Sequence, residues 1–310
     1  MSPFEGIWIP LVTPFRNGTI DLDAAQRLAV DVADKGVHGL VVCGTTGEAA
    51  TLSEEEQAML LCAVQEAVAP RCPVVLGIGG NDTRAVAEKV ARCNQYETAA
   101  YLISAPAYVR PSQLGITRHY QEIAQVTDIP IIIYNVPSRT GVDIELSTVI
   151  ALASNSGFAA IKQCGSDVVR IAELVNQTAL KVLCGDDALM FASLCLGGHG
   201  AMTASAHIRP DLYVSMFDLI RAGEIEQARA IFSALLPLIK LMFSEPNPAP
   251  VKAALALQGR IRDELRLPMT AMSTVGKLQI AGALEQVLAL PKPLAVGRPA
   301  RESLKLVSGK

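Results

Sequence analysis

No stretch of the 310 residues holds about 18 or more apolar residues in succession, so no helix of this chain is expected to cross a bilayer. Positive charge is neither in excess nor gathered into a stripe. Lysine and arginine number 27 against 30 acidic residues, a formal net charge of −3, and nucleic acid is not an expected partner. The N-terminal residues lack a charged segment followed by an apolar one, so no signal peptide is expected. The seven cysteines (43, 62, 72, 93, 164, 184 and 195) are odd in number and scattered, and none shows the paired spacing of a zinc site. Reduced thiols in a cytoplasmic protein are the simplest account of them. The four histidines (38, 119, 199 and 207) stand apart in sequence, which speaks against a metal site. No G-x-G-x-x-G follows the first apolar run, and this removes the main support for a dinucleotide-binding fold. Gly77-Ile78-Gly79-Gly80 is a weak substitute that reads as a turn.

What the chain does have is length enough for a large core, half its residues hydrophobic, and a short-period alternation. Strand-like apolar runs fall at 7–12, 39–43, 74–78, 99–103, 131–134, 158–162, 181–184 and 200–203. Helical spacing of apolar residues separates them, as at 23–35, 54–69, 83–96 and 113–127. Ser53 followed by Glu56 forms an S-x-x-E capping box, and Ser166-Asp167 precedes another helical stretch. Strands that are continuous apolar runs imply a parallel sheet covered on all sides. Eight of them at this length predict an α/β fold, a closed (β/α)8 TIM barrel, over residues 1–222. Helical segments at 224–243, 249–258 and 274–288 then predict a C-terminal helical appendage over 223–290. The tail over 291–310, with prolines at 291, 293 and 299, is expected to be extended or mobile.

Active sites of such barrels lie at the C-terminal ends of the strands, a rule that selects residues before any function is considered. The sixth run, Phe158-Ala159-Ala160-Ile161, ends in Lys162, a residue type almost never buried without a partner or a role. Taken alone, a lysine there more often snorkels to solvent. Buried, it is expected to have a lowered pKa and to act as a free amine able to form a Schiff base with a ketone. The second run ends in Gly44-Thr45-Thr46-Gly47-Glu48, the fourth in Ser104-Ala105-Pro106-Ala107-Tyr108 and the fifth in Tyr134-Asn135-Val136-Pro137-Ser138-Arg139-Thr140-Gly141. The seventh ends in Gly185-Asp186-Asp187. Carbinolamine formation and dehydration each move protons, and Tyr134 with a relay through Thr45 suits that need. The amides and hydroxyls of the Thr-Thr-Gly turn suit a small carboxylate, and Arg139 offers a fork for a second one. Each has a plainer reading. Gly44–Glu48 is also an ordinary glycine-bounded turn, Arg139 a solvated turn residue, Tyr108 a loop-packing ring, Glu48 a helix-start acid or anchor. For Asp186-Asp187 a helix start is the favoured reading.

Together, GTTGEAATLS, APAYVRPSQ, YNVPSRTG, the IK of AAIKQCG, CGDDA, LGGHGAMT, SEPNPAPVK and LRLPMT resemble, in order and spacing, the dihydrodipicolinate synthase family of pyruvate-dependent Schiff-base lyases. The resemblance spans residues 4–290, and the form with Arg139 resembles the synthase branch rather than the sialic acid lyases. It implies that Lys162 forms a Schiff base with pyruvate and that Thr45 and Thr46 hold the pyruvate carboxylate. It also implies a proton relay of Tyr134, Thr45 and Tyr108, with Tyr108 reaching in from a neighbouring subunit of a homotetramer built as a pair of dimers. Arg139 would bind the carboxylate of aspartate semialdehyde, Gly185 and Met202 would contact the pyruvate side, and no cofactor or metal is implied. Members inhibited by lysine carry polar residues at positions matching Glu54, Gln57, Ala85 and Ala107 here. Only Asn81 is kept, so weak or absent lysine inhibition is expected. Gln163 and Cys164 also depart from the family pattern, which keeps open a related aldolase acting on a sugar acid or another aldehyde. A non-enzymatic relative is disfavoured by the intact lysine, tyrosines and threonine pair.

Overall fold

The computed structural model describes residues 4–293. Eight parallel strands close into a barrel: Gly6–Pro10, Gly39–Val42, Val74–Ile78, Ala100–Ser104, Ile131–Asn135, Phe158–Gln163, Lys181–Cys184 and Gly200–Met202. The first pairs with both the second and the eighth, through Trp8↔Gly39 and Trp8↔Met202, which leaves no sheet edge. The expected (β/α)8 class is therefore the one observed. Gly77 and Ile78 lie in the third strand, as the run at 74–78 implied, rather than in the turn read for Gly77–Gly80, and a Cβ at Gly77 would stand 2.3 Å from the Cys43 carbonyl oxygen. Glycine there lets the end of the second strand come close. A small hairpin pairing Phe15–Arg16 with Thr19–Ile20 was not anticipated, although Asn17-Gly18, both at positive φ, carries the usual hairpin-turn signal.

Side chains alternate along each strand between two apolar layers, as the pleat requires. Val41, Val75, Ala100, Leu102, Ile132, Ala160, Leu183 and Met202 pack with Trp8 inside the barrel. Leu40, Val42, Val74, Tyr101, Ile131, Ile133, Ile161 and Val182 face the surrounding helices. The period of two matters for the site: positions 134 and 162 share parity with the inward-facing Ile132 and Ala160.

The helices at Leu22–Ala33, Glu54–Val68, Thr83–Cys93 and Gln113–Ala124 match the predicted stretches within a few residues at their ends. Ser53 and Glu56 form the capping box, with the Glu56 N–H donating to the Ser53 hydroxyl at 3.2 Å and the Ser53 N–H to Glu56 Oε2 at 3.0 Å. After the helix Pro210–Arg221 come three more, Ile225–Leu241, Ala249–Leu257 and Thr274–Leu288. Thr274–Leu288 packs on both of the others, and Ile225–Leu241 packs on Pro210–Arg221. Of the segment expected to form a tail, residues 294–310 lie outside the described residues.

Candidate active site

Lys162 and Tyr134 are register partners on adjacent strands, and both side chains are buried. The lysine Nζ stands 4.4 Å from the centre of the Tyr134 ring. Glycine makes room for it, since a Cβ on Gly185 would lie 2.9 Å from Lys162 Cε and 2.2 Å from Cys164 Sγ. The Cys164 thiol therefore packs in the same corner. Burial pushes its pKa up to about 12, so it is neutral at physiological pH.

The charge state of Lys162 departs from the sequence expectation. Burial works against the ammonium, but Tyr134 and the Asp187 carboxylate favour it, and the pKa is raised rather than lowered. The amine is thus not free in advance. It must lose a proton before it can attack a carbonyl carbon, and the Tyr134 hydroxyl is its hydrogen-bond partner on the strand alongside.

The turn after the second strand is held from three sides. Thr13 donates its hydroxyl to the Gly47 carbonyl at 2.6 Å, Asn247 donates its side-chain N–H to Thr46 Oγ1 at 3.0 Å, and the buried Glu48 carboxylate is ion-paired with Lys252. Glu48 itself has a left-handed backbone, φ +54°, which costs a non-glycine residue about 1–2 kcal/mol. Its plainer reading as a helix-start acid is only half right: a short 3-10 turn Ala49–Thr51 follows, but the carboxylate points into the protein.

A cavity of about 460 Å³ opens above these residues. Thr45, Tyr134, Arg139 and Asn247 line it together, with Lys89 and Gln57 on its outer wall. Arg139 sits on the one-turn helix Pro137–Thr140, exposed and without an acidic partner among the described residues. Of the remaining expected residues, Thr46, Lys162 and Met202 are buried, and Met202 packs with Tyr134 in the inner cluster. Gly185 contacts Lys162 and Cys164, as described. Tyr108 is the outlier. It is 89% exposed, at φ +68°, and is not on the cavity wall.

Three residues beside the site were given no part in it by the sequence reading. Asp187 does open a 3-10 turn, Asp187–Leu189, as the favoured reading had it. It is also fully enclosed, accepting from the Ser205 N–H at 2.7 Å, the Ala204 N–H at 3.3 Å and the Ser205 hydroxyl. Burial pushes its pKa up to about 6 in spite of those donors. Asn247 and Lys252 lie within the SEPNPAPVK segment, and a lysine inside an apolar helix, APVKAALAL, was a legible sign of a buried charge. Among the described residues no cluster of histidine, cysteine and carboxylate side chains could hold a metal ion.

Comparison with known proteins finds relatives along nearly the whole chain. The family model described as the dihydrodipicolinate synthetase family matches residues 3–287. The 4-hydroxy-tetrahydrodipicolinate synthase of Thermodesulfovibrio yellowstonii is 41% identical over 283 residues, 91% of this chain and 97% of that protein. That of Methanocaldococcus jannaschii is 36% identical, covering 92% of this chain and 99% of the relative. Among solved structures, dihydrodipicolinate synthase from Thermotoga maritima superposes with a TM-score of 0.90 at 34% identity, over 93% of this chain and 99% of that one. A structure described as the first monomeric dihydrodipicolinate synthase variant reaches a TM-score of 0.91 at 34% identity, over 93% and 98%.

Proposed function

The chain belongs to the dihydrodipicolinate synthetase family, and we propose from that premise how its residues carry out the reaction it shares with its relatives. It is a lyase that condenses pyruvate with L-aspartate-4-semialdehyde to 4-hydroxy-tetrahydrodipicolinate in the diaminopimelate and lysine pathway. The observation that carries the residue assignment is the enclosed pair of Lys162 and Tyr134, with Gly185 leaving space for the lysine.

Lys162 is the nucleophile. It gives a proton to the Tyr134 oxygen as that hydroxyl passes its own proton on to Thr45, and the freed amine attacks the ketone carbon of pyruvate. Protonation of the resulting carbinolamine oxygen, again through Tyr134, lets water leave and gives the Schiff base. Loss of a proton from the former methyl group turns the Schiff base into an enamine. The enamine carbon attacks the aldehyde carbon, and the aldehyde oxygen takes up a proton to become the hydroxyl. The substrate's own amine then adds to the Schiff-base carbon and expels Lys162, closing the six-membered ring and restoring the enzyme.

Thr45 and Thr46 hold the pyruvate carboxylate by hydroxyl and amide donors, and Thr45 extends the relay from Tyr134. Arg139, exposed on the cavity wall and without an acidic partner among the described residues, binds the carboxylate of the semialdehyde in its guanidinium fork. Gly185 and Met202 border the pyruvate end. Tyr108 projects too far into solvent to serve its own subunit, which supports its role as a relay member for a neighbour in a dimer within a homotetramer. No helix among the described residues is long and apolar enough to cross a membrane, and a cytoplasmic location suits the reduced cysteines. These catalytic and binding residues belong to the barrel part, 1–222, and the helical part, 223–290, supports one turn of the site. No cofactor is needed, because the lysine itself provides the electron sink.

The test is reduction with borohydride in the presence of pyruvate, followed by mass spectrometry of the peptide holding Lys162. A pyruvate adduct on Lys162 is expected, together with turnover of aspartate semialdehyde in preference to sugar-acid aldehydes. Absence of the adduct would remove the Schiff-base assignment. An adduct with turnover only of sugar-acid aldehydes would transfer the chain to the related aldolases.

A further inference from the structure

The segment 247–252, at the start of the helix Ala249–Leu257, reaches the carboxylate-binding turn at two points. Asn247 donates to Thr46 Oγ1 at 3.0 Å. Five residues on, Lys252, with no solvent exposure, is ion-paired with Glu48 at the end of the same turn. The Lys252 ammonium also donates to the Glu264 carbonyl at 2.8 Å and lies 4.3 Å from the centre of the Phe15 ring. Glu48 in turn accepts from the Arg266 N–H at 3.3 Å. Removing one partner of so enclosed a pair would leave an uncompensated charge, so the pair pins the turn to the helix.

A hydroxyl has one proton, and a carboxylate can only accept. Thr46 therefore serves a carboxylate only if its proton is not spent elsewhere. Asn247 donates to Thr46 rather than accepting from it. In that orientation the Asn247 Oδ1 is left buried without a partner, whereas the reverse would orphan its NH₂ group, the costlier of the two. Asn247 also lines the cavity, so its influence falls where the substrate sits.

We propose that Asn247 is a positioning residue for the condensation: by donating to Thr46 it reserves the threonine proton for the pyruvate carboxylate, while Lys252 and Glu48 hold the turn in register. The inference rests on the assignment of Thr46 to that carboxylate. It makes the helix after the barrel part of the substrate-binding apparatus rather than a separate appendage.

Steady-state kinetics on Asn247 variants test it. Asn247→Ala is expected to raise the KM for pyruvate about tenfold, with kcat and the KM for the semialdehyde little changed. Asn247→Asp can only accept, so it takes the threonine proton and adds like charge; its KM for pyruvate is expected to rise further than that of the alanine variant. Asn247→Ser, which keeps a small donor, is expected to fall between the wild type and alanine. In a Thr46→Val background the same changes should add little, because the effect travels through that hydroxyl. An unchanged pyruvate KM in Asn247→Ala, an aspartate variant milder than alanine, or equal factors in both Thr46 backgrounds would each overturn the proposal. Borohydride trapping on the unaltered protein separates the two levels. Failure there removes the Schiff-base reading itself, whereas a normal adduct with an unmoved pyruvate KM removes only the role of Asn247.

Discussion

The Lys162 ammonium lies 4.4 Å from the centre of the Tyr134 ring, the two residues being register partners on the fifth and sixth barrel strands. In the proposed mechanism this pairing couples the nucleophile to its proton carrier through the strand ladder. A ladder fixes the two backbones relative to each other, so neither side chain depends on a loop for its place.

Tyr134→Phe keeps the ring and removes only the hydroxyl. A fall in kcat of about 100-fold or more is expected, with the melting temperature close to that of the wild type. Lys162→Ala should lose both the trapped adduct and the activity. A phenylalanine variant with near-normal kcat would remove Tyr134 from the relay.

Arg139 is expected to act on the second substrate alone. Arg139→Ala should raise the KM for aspartate semialdehyde by about tenfold to 100-fold and leave borohydride trapping of pyruvate intact. Lysine at 139 restores charge but not the planar fork, so only partial recovery is expected. Equal losses for both substrates would place Arg139 in a general electrostatic role instead.

Tyr108 gives a subunit-mixing experiment. Lys162→Ala, inactive alone, and Tyr108→Phe, weakly active alone, should regain activity when unfolded together and reassembled. In a mixed dimer one site would combine an intact Lys162 from one subunit with an intact Tyr108 from the other. No recovery on mixing, with mixed oligomers demonstrated by mass, would confine Tyr108 to its own subunit.

Titration with L-lysine should give weak inhibition or none. Gln57 and Ala107, two of the positions at which this chain departs from lysine-inhibited members, line the cavity, and the Lys89 ammonium donates to Gln57 Oε1 at 2.7 Å beside them. A fixed positive charge there opposes a ligand that is itself cationic. Strong saturable inhibition at low lysine concentration would contradict this.

Glu56 supplies a pH-dependent tie between the barrel and the segment after Ala249–Leu257. The bidentate hydrogen bonds from Arg266, at 2.6 and 2.7 Å, hold its pKa down at about 2, against burial, which works the other way. A depressed carboxylate pKa stabilises the folded state above the unfolded value of 4.5 and loses that contribution as pH falls through about 2. Glu56→Gln keeps the capping box but not the charge. It is expected to cost about 1 kcal/mol at neutral pH, and the gap in melting temperature should close in acid. A gap that is the same at every pH would show that the ion pair is not the source.

The barrel was legible because eight apolar runs at short period can be covered on both faces in few ways, and the inward parity of Tyr134 and Lys162 follows from the pleat alone. The helix ends were less legible, since fraying and 3-10 turns such as Asn94–Tyr96 obey local hydrogen bonding rather than periodicity. The charge of Lys162 was misjudged because burial can be read from an apolar run, whereas Tyr134 and Asp187, which oppose its effect, arrive from elsewhere in the chain.

By itself, then, the sequence determined the strand count, the residues at the strand ends and the candidate nucleophile, all consequences of short-range pattern and of one chemical oddity, a lysine closing an apolar strand. Only the tertiary structure decided how these residues are held. The partners of the turn, Asn247 and Lys252, lie some 200 residues from Thr46 and Glu48, a separation at which no periodicity or motif links two positions, so their pairing is decided by packing alone.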